Sequence, residues 1–202
     1  MRQAVSTRAL AILAGAAVLF SANAASALLP LDVEVGAKVG GGTTPSNVAS
    51  GGTNPLGFGL GGRAGVAFLG LYGGVSIAYY FGGSETLPIV GAVVPAVFSA
   101  STHSLMYGFE AGYGTVLVNV VTLRAQVGIG NFTQTVDIGS VSTDSSNLYL
   151  EPGITALVSL PFGGLFVGAD ANVLVLPGVK DATGQSQTVT AFTVHGQIGY
   201  KF

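Results

Sequence analysis

Residues 191–202 read AFTVHGQIGYKF, and alternate positions fall into two classes. Phe192, Val194, Gly196, Ile198, Tyr200 and Phe202 share one face, while Thr193, His195, Gln197, Gly199 and Lys201 share the other. A two-residue period of this kind marks a β-strand with one apolar and one polar side. It continues to the last residue, so this end is expected in a sheet and not in a frayed tail.

Working back from this stretch, the same alternation recurs in seven segments: 31–40, 56–68, 71–81, 105–114, 121–129, 148–158 and 165–175. The connections between them alternate long and short, beginning with a long one. Residues 41–55, 82–103, 130–147 and 176–186 read as long loops rich in turn formers or, in the second, unusually apolar. Leu69-Gly70, the region of Leu117, and the Pro161 and glycine turn near 160–164 read as short ones. An even number of strands about ten residues long, joined by alternating long and short connections, suits a transmembrane barrel with both ends on the periplasmic side.

Composition agrees. Charged residues are 8% of the chain and hydrophobic residues 49%, whereas an ordinary soluble domain is roughly 25% charged. After residue 27 there is no unbroken apolar run of about 18 residues, so a membrane helix does not explain the shortage of charge. Alternating strands facing lipid do. The 32 glycines lie mostly inside the alternating segments, as expected of a tightly curved sheet with small inward positions.

Residues 1–27 read as a signal peptide: Arg2 and Arg8 supply a basic start, 10–20 an apolar core, and cleavage is expected after Ala24 or Ala27. Residues 28–202 then form the barrel. Removing the two arginines leaves five Lys/Arg against nine Asp/Glu, a net charge of −4, and nothing basic enough for nucleic acid. The absence of cysteine excludes disulfides, thiolate metal sites and cysteine nucleophiles.

The charges distinguish inside from outside. Asp32, Glu34, Lys38, Arg63, Glu110, Arg124, Glu151, Asp170 and Lys201 all lie on the face opposite the aliphatic residues, and His195 joins them. Glu85, Asp137, Asp144, Lys180 and Asp181 fall in the long loops. A cation facing lipid at mid-membrane costs about 2–4 kcal/mol, so this segregation is what a lipid wall requires. Eight strands leave an interior just wide enough for side chains to fill, and the inward charges should pair as a lumenal ionic network. The expected pairs are Glu110 with Arg124, Glu34 or Lys38 with Arg63, and, only if the first and last strands meet, Asp32 with Lys201. Aromatics form two girdles, with Phe68, Tyr113, Tyr200 and Phe202 below and Phe58, Tyr79, Phe81, Tyr107 and Phe192 above.

The signal peptide, eight alternating strands and terminal Phe with Tyr two residues before it resemble the small outer-membrane barrels of the OmpA/OmpX type. The resemblance implies an all-β, eight-stranded antiparallel up-and-down barrel with a polar, side-chain-filled lumen, integral to the outer membrane. It implies that Tyr200 and Phe202 signal to the barrel-assembly machinery, that lipid is the principal partner and that the chain is monomeric; because the sequence ends at the barrel, no peptidoglycan-binding domain is expected to follow.

No sharp catalytic motif accompanies it. Gly57-x-Gly59-x-x-Gly62 matches a dinucleotide fingerprint but lies at or in a strand with no helix opening on it, and is set aside. Asn131-Phe132-Thr133 matches a glycosylation acceptor and reads as coincidence in bacterial-type export. His195 has only Thr193 and Gln197 as same-face neighbours and reads as a lumenal hydrogen-bonding residue; His103 is weaker still. Asp137 and Asp144 fit no calcium loop. No catalytic, cofactor or metal residue is assigned.

The apolar 87–100 stretch, with Leu87, Ile89, Val93, Val94, Val97 and Phe98, is the least ordinary feature. It reads as an interaction loop for a surface partner, as a resting place for a small hydrophobic molecule, or as a plain extension of two strands. The leading expectation is a structural or surface-interaction protein whose extracellular loops carry the role. The alternatives are an OmpW-like transporter or narrow channel for small hydrophobic solutes and, less favoured, a lipid-modifying enzyme.

Overall fold

Alternating segments bury one face and pair at their edges, and here they pair until no edge is left. The computed structural model describes residues 31–45, 54–88, 97–117, 120–161, 163–180 and 184–202. Its strands are β1 (Leu31–Thr43), β2 (Phe58–Phe68), β3 (Leu71–Pro88), β4 (Val97–Leu117), β5 (Val121–Ile138), β6 (Val141–Ser159), β7 (Leu165–Lys180) and β8 (Ser186–Lys201). Each pairs antiparallel with the next, and β1 pairs with β8, closing the barrel. Phe202 extends the seam, exchanging backbone hydrogen bonds of 2.9 and 3.3 Å with Val33. The expected signal peptide, 1–27, lies outside the described residues.

Inside and outside follow the parity read from the sequence. Glu34, Lys38, Arg63, Glu110, Arg124, Glu151, Asp170 and His195 are buried, while Phe58, Leu60, Val66, Phe109, Ile129, Ile154, Val194 and Ile198 are exposed on the outer wall.

Several expected loops are strand instead. β5 and β6 continue to a two-residue turn at Gly139-Ser140, with Ile138 opposite Val141. Gly139 alone has positive φ, at 60°, which suits a type II′ hairpin. Residues 130–147 read as a loop because apolar alternation ceases there. Climbing the outward face of β5, Val127 and Ile129 give way to Asn131, Thr133, Thr135 and Asp137; on β6, Leu150 and Leu148 give way to Ser146, Asp144 and Ser142. The alternation stops where lipid stops, while the β-branched Thr133, Thr135, Val136 and Ile138 keep the strand. Likewise β3 and β4 run on past Phe81 and His103, with Leu87 opposite Phe98 and Pro88 opposite Val97 in the ladder. Of the expected interaction loop, Ile89, Val93 and Val94 lie outside the described residues.

A second correction concerns Leu56, expected to face outward at the start of a strand. It precedes β2 and is 1% exposed. Asn54 pins this segment into the mouth: its Nδ2 donates to the Gly42 carbonyl at 2.8 Å, and its Oδ1 accepts from the Thr44 and Leu56 amides, both at 3.3 Å. The Ser104 hydroxyl donates to the Pro55 carbonyl at 3.0 Å. Leu56 is thereby held in the lumen.

Candidate functional site

The inward faces of the eight strands build the lumen in layers. Nearest the end where Phe202 pairs with Val33, Glu34 of β1 is fully buried and collects three cations. Arg124 grips it with two hydrogen bonds, of 3.0 and 2.9 Å; Arg63 donates at 2.8 Å; and Lys201 Nζ lies 3.6 Å away. Forked guanidinium–carboxylate contacts of this kind are among the stronger hydrogen bonds a protein makes. The guanidinium carbons of Arg63 and Arg124 also lie over the Tyr72 ring, 4.6 and 4.0 Å from its centre.

Above this, Lys38 lies 3.1 Å from Glu110 and 3.6 Å from Asp170. Asp170 also accepts from His195 Nδ1 at 2.7 Å, from Asn172 at 2.8 Å and from Gln197. Arg63 reaches Gln197 at 3.4 Å, joining the two clusters. Asn172, Thr193 and Glu151 continue the chain, with Thr193 donating to Glu151 at 3.0 Å. Four buried carboxylates face four cations, Lys201 being the most exposed of these.

Of the expected pairs Glu34 with Arg63 forms, and the other two do not. Glu110 and Arg124 do not meet: Glu110 is opposite Gly128, and Arg124 is opposite Gly114. The β4–β5 turn sits further along than a centre at Leu117 implies, which shifts the register and sends Arg124 across the lumen to Glu34. The seam contact exists, but Lys201 faces Glu34 and not Asp32. Asp32 is exposed at the rim beside the seam and joins no ion pair among the described residues.

His195 is held at both nitrogens, by Asp170 at Nδ1 and by the Tyr80 hydroxyl at Nε2, 2.9 Å away. An ionised carboxylate only accepts, so Nδ1–H donates to it; in the neutral ring Nε2 then accepts the Tyr80 proton. Sequence parity places these side chains inward but does not join them, because pairing across a closed ring depends on strand stagger.

Above the polar layers lies an apolar one that parity does not reveal. Leu56, Tyr80, Met106, Phe132, Tyr149, Leu174 and Leu176 are buried together at the outer half of the lumen. The available signal is Val173 to Leu176, four apolar residues in a row. Where lipid lies on one side and an apolar plug on the other, alternation vanishes.

Beyond the outer girdle, where Tyr79 stacks on His103 with ring centres 5.7 Å apart, the outward face becomes a polar ladder. Asn131 Oδ1 accepts from Thr133 at 3.0 Å and from Ser146 at 2.7 Å, Thr135 donates to Asp144 at 2.7 Å, and His103 lies 3.4 Å from Asp137. At the other end the rings of Tyr200 and Phe202 lie 4.7 Å apart.

Residues 12–202 match the family described as outer membrane protein beta-barrel domain. Among solved structures, Neisserial surface protein A is similar over 85% of this chain and 97% of its own, at 14% identity and a TM-score of 0.55. A major outer membrane protein from Thermus thermophilus is similar over 85% of this chain and 99% of its own, at 12% identity and a TM-score of 0.52. At these identities the likeness is one of fold. No curated protein matches the chain.

Proposed function

The chain belongs to the outer-membrane β-barrel family, and from that premise we propose that it is a surface-interaction protein whose working part is the sheet raised above the membrane and whose lumen is closed by the ionic network. The observation that carries this reading is strand length. Crossing the hydrocarbon takes about 9–11 residues, whereas β4, β5 and β6 have 21, 18 and 19. The excess carries the Asn131–Thr133–Ser146 and Thr135–Asp144 ladder on its outward face. A hydrogen-bonded sheet holds polar groups in fixed positions, which lowers the entropy a partner must overcome on binding.

In the same reading, residues 1–27 are cleaved on export, Tyr200 and Phe202 present the final strand to the assembly machinery, and the barrel works as a monomer without catalysis. A hydrolase needs a nucleophile beside its histidine, and at His195 that place is taken by the fully buried Tyr80. Transport of small hydrophobic solutes is the second reading, favoured by the apolar layer at the outer mouth and opposed by the ionic layers beneath it.

The cysteine-free chain makes the test clean. Single variants Ser142→Cys, at the raised tip, and Leu69→Cys, in the opposite turn, are treated in intact cells with a membrane-impermeant maleimide. Labelling at 142 and not at 69 is expected. Protection of 142, or labelling of 69, would overturn the placement of the raised sheet outside.

A further inference from the structure

Above the apolar layer, inward-facing residues of β5, β6, β7 and β8 enclose, with Thr44 and the Pro55-Leu56 segment, a cavity of about 110 Å³. Its floor is apolar, formed by Leu56, Phe132 and Leu176, which are 1%, 1% and 6% exposed. Its walls carry the side-chain amides of Gln134, Asn147 and Gln187, and no charged residue lines it. Thr44 also lines it, 2% exposed, and its buried Oγ1 has no hydrogen-bond partner among the described residues. A buried hydroxyl without a partner costs free energy, and evolved proteins rarely leave one.

We propose that this cavity is a binding site for a neutral, short amphiphile: an aliphatic body on the Leu56–Phe132–Leu176 floor and a hydroxyl or amide end hydrogen-bonded to Thr44. Each part of that description has its own cause. Size is set by the volume, about four times the ~30 Å³ a water molecule occupies in the liquid. Neutrality follows from the lining, since an ion brought here would lose its hydration with only amides and the hydroxyls of Thr44 and Ser145, and no opposite charge, in exchange. The aliphatic body follows from the floor, which offers water nothing to bond. The polar end follows from the unpartnered hydroxyl. The ionic layers lie beneath the apolar plug, so the site binds without leading onward.

The test uses the folded barrel in lipid nanodiscs, with 1-butanol and 1-chlorobutane as probes. Backbone amide resonances of Gln134, Asn147 and Gln187 are followed by NMR during titration. Saturable shifts confined to these residues are expected with 1-butanol. Thr44→Val, which keeps the shape and removes the hydroxyl, is expected to weaken 1-butanol by about three- to tenfold, the worth of one hydrogen bond, and to leave 1-chlorobutane unchanged. Val189→Phe, which fills the cavity wall, is expected to abolish saturation by both, with barrel closure checked by unboiled gel migration. Non-saturating drift spread over the whole barrel would mean partition into lipid and would overturn the site. Equal loss of both probes in Thr44→Val, or no loss of either, would overturn the assigned polar end.

Discussion

Glu34 of β1 lies directly opposite Lys201 of β8 in the ladder that closes the barrel, with Lys201 Nζ 3.6 Å from Glu34 Oε1. The same carboxylate holds Arg63 and Arg124, so one side chain ties the closing seam to β2 and β5. Removing it strands buried guanidinium groups. Glu34→Ala is expected to cost about 3–5 kcal/mol, the usual loss when one partner of a buried ionic group is deleted. Lys201→Gln, at the more exposed edge of the cluster, is expected to cost under about 1 kcal/mol. Urea unfolding of both variants in lipid vesicles measures the contrast; equal costs would mean Glu34 is not the hub.

Tyr72 separates packing from hydrogen bonding. Its hydroxyl is buried with no partner among the described residues, while its ring faces both arginines. Tyr72→Phe keeps the ring and removes the unsatisfied group, so stability is expected to hold or rise slightly. Tyr72→Leu gives up two desolvated cation–π contacts and is expected to lose about 1–3 kcal/mol. The same unfolding measurement distinguishes them, and a large loss in the Phe variant would show that the hydroxyl is bonded after all.

The seam also explains a glycine pair. Gly36 and Gly199 are opposite one another across β1 and β8, and the buried Phe166 ring covers both. A methyl on Gly199 would fall on that ring and on the Val35 carbonyl. Gly199→Ala is therefore expected to cost about 1–3 kcal/mol through overpacking and to weaken the fast-migrating band of the unboiled barrel on a gel. Gly73→Ala, with nothing within 4 Å of the added carbon, is expected to behave as the parent. Similar behaviour of the two variants would show that the seam tolerates a side chain.

The barrel is legible in the sequence where two different solvents meet it. Between lipid and a polar lumen every second residue changes character, as from Phe192 to Lys201, and strand number, order and facing follow from parity alone. Legibility fails where that regular contrast is lost. At Thr133 to Ser146 the outward face turns polar while the inward one keeps Val136, Ile138 and Val141 among polar residues, and strand reads as loop. At Val173 to Leu176 both faces are apolar, and the inner plug leaves no alternating trace. Ion-pair partners escape for a different reason: parity places Arg124 inside but does not say how far β5 is staggered against β1, and that stagger sends it to Glu34 and not to Glu110. Leu56 departs from its parity because Asn54, whose side chain ties three backbone groups, turns the chain before the strand begins.

Two unlike closures in series bear directly on conduction. An ion entering from outside meets Leu56, Phe132 and Leu174, which offer no ligands to replace its hydration. One entering from the periplasm meets arginines already committed to Glu34. The wild-type barrel in a planar bilayer is therefore expected to show no steady conductance. Phe132→Ala opens only the upper closure and is expected to stay silent while losing about 3–5 kcal/mol of stability. Adding Arg124→Ala and Glu34→Ala opens the lower closure as well, leaving Arg63 and Lys201 without their shared carboxylate, and the triple variant is expected to conduct. Steady current through the wild type would mean the two layers do not seal, and a silent triple variant that still migrates as a closed barrel would mean that other lumenal side chains suffice.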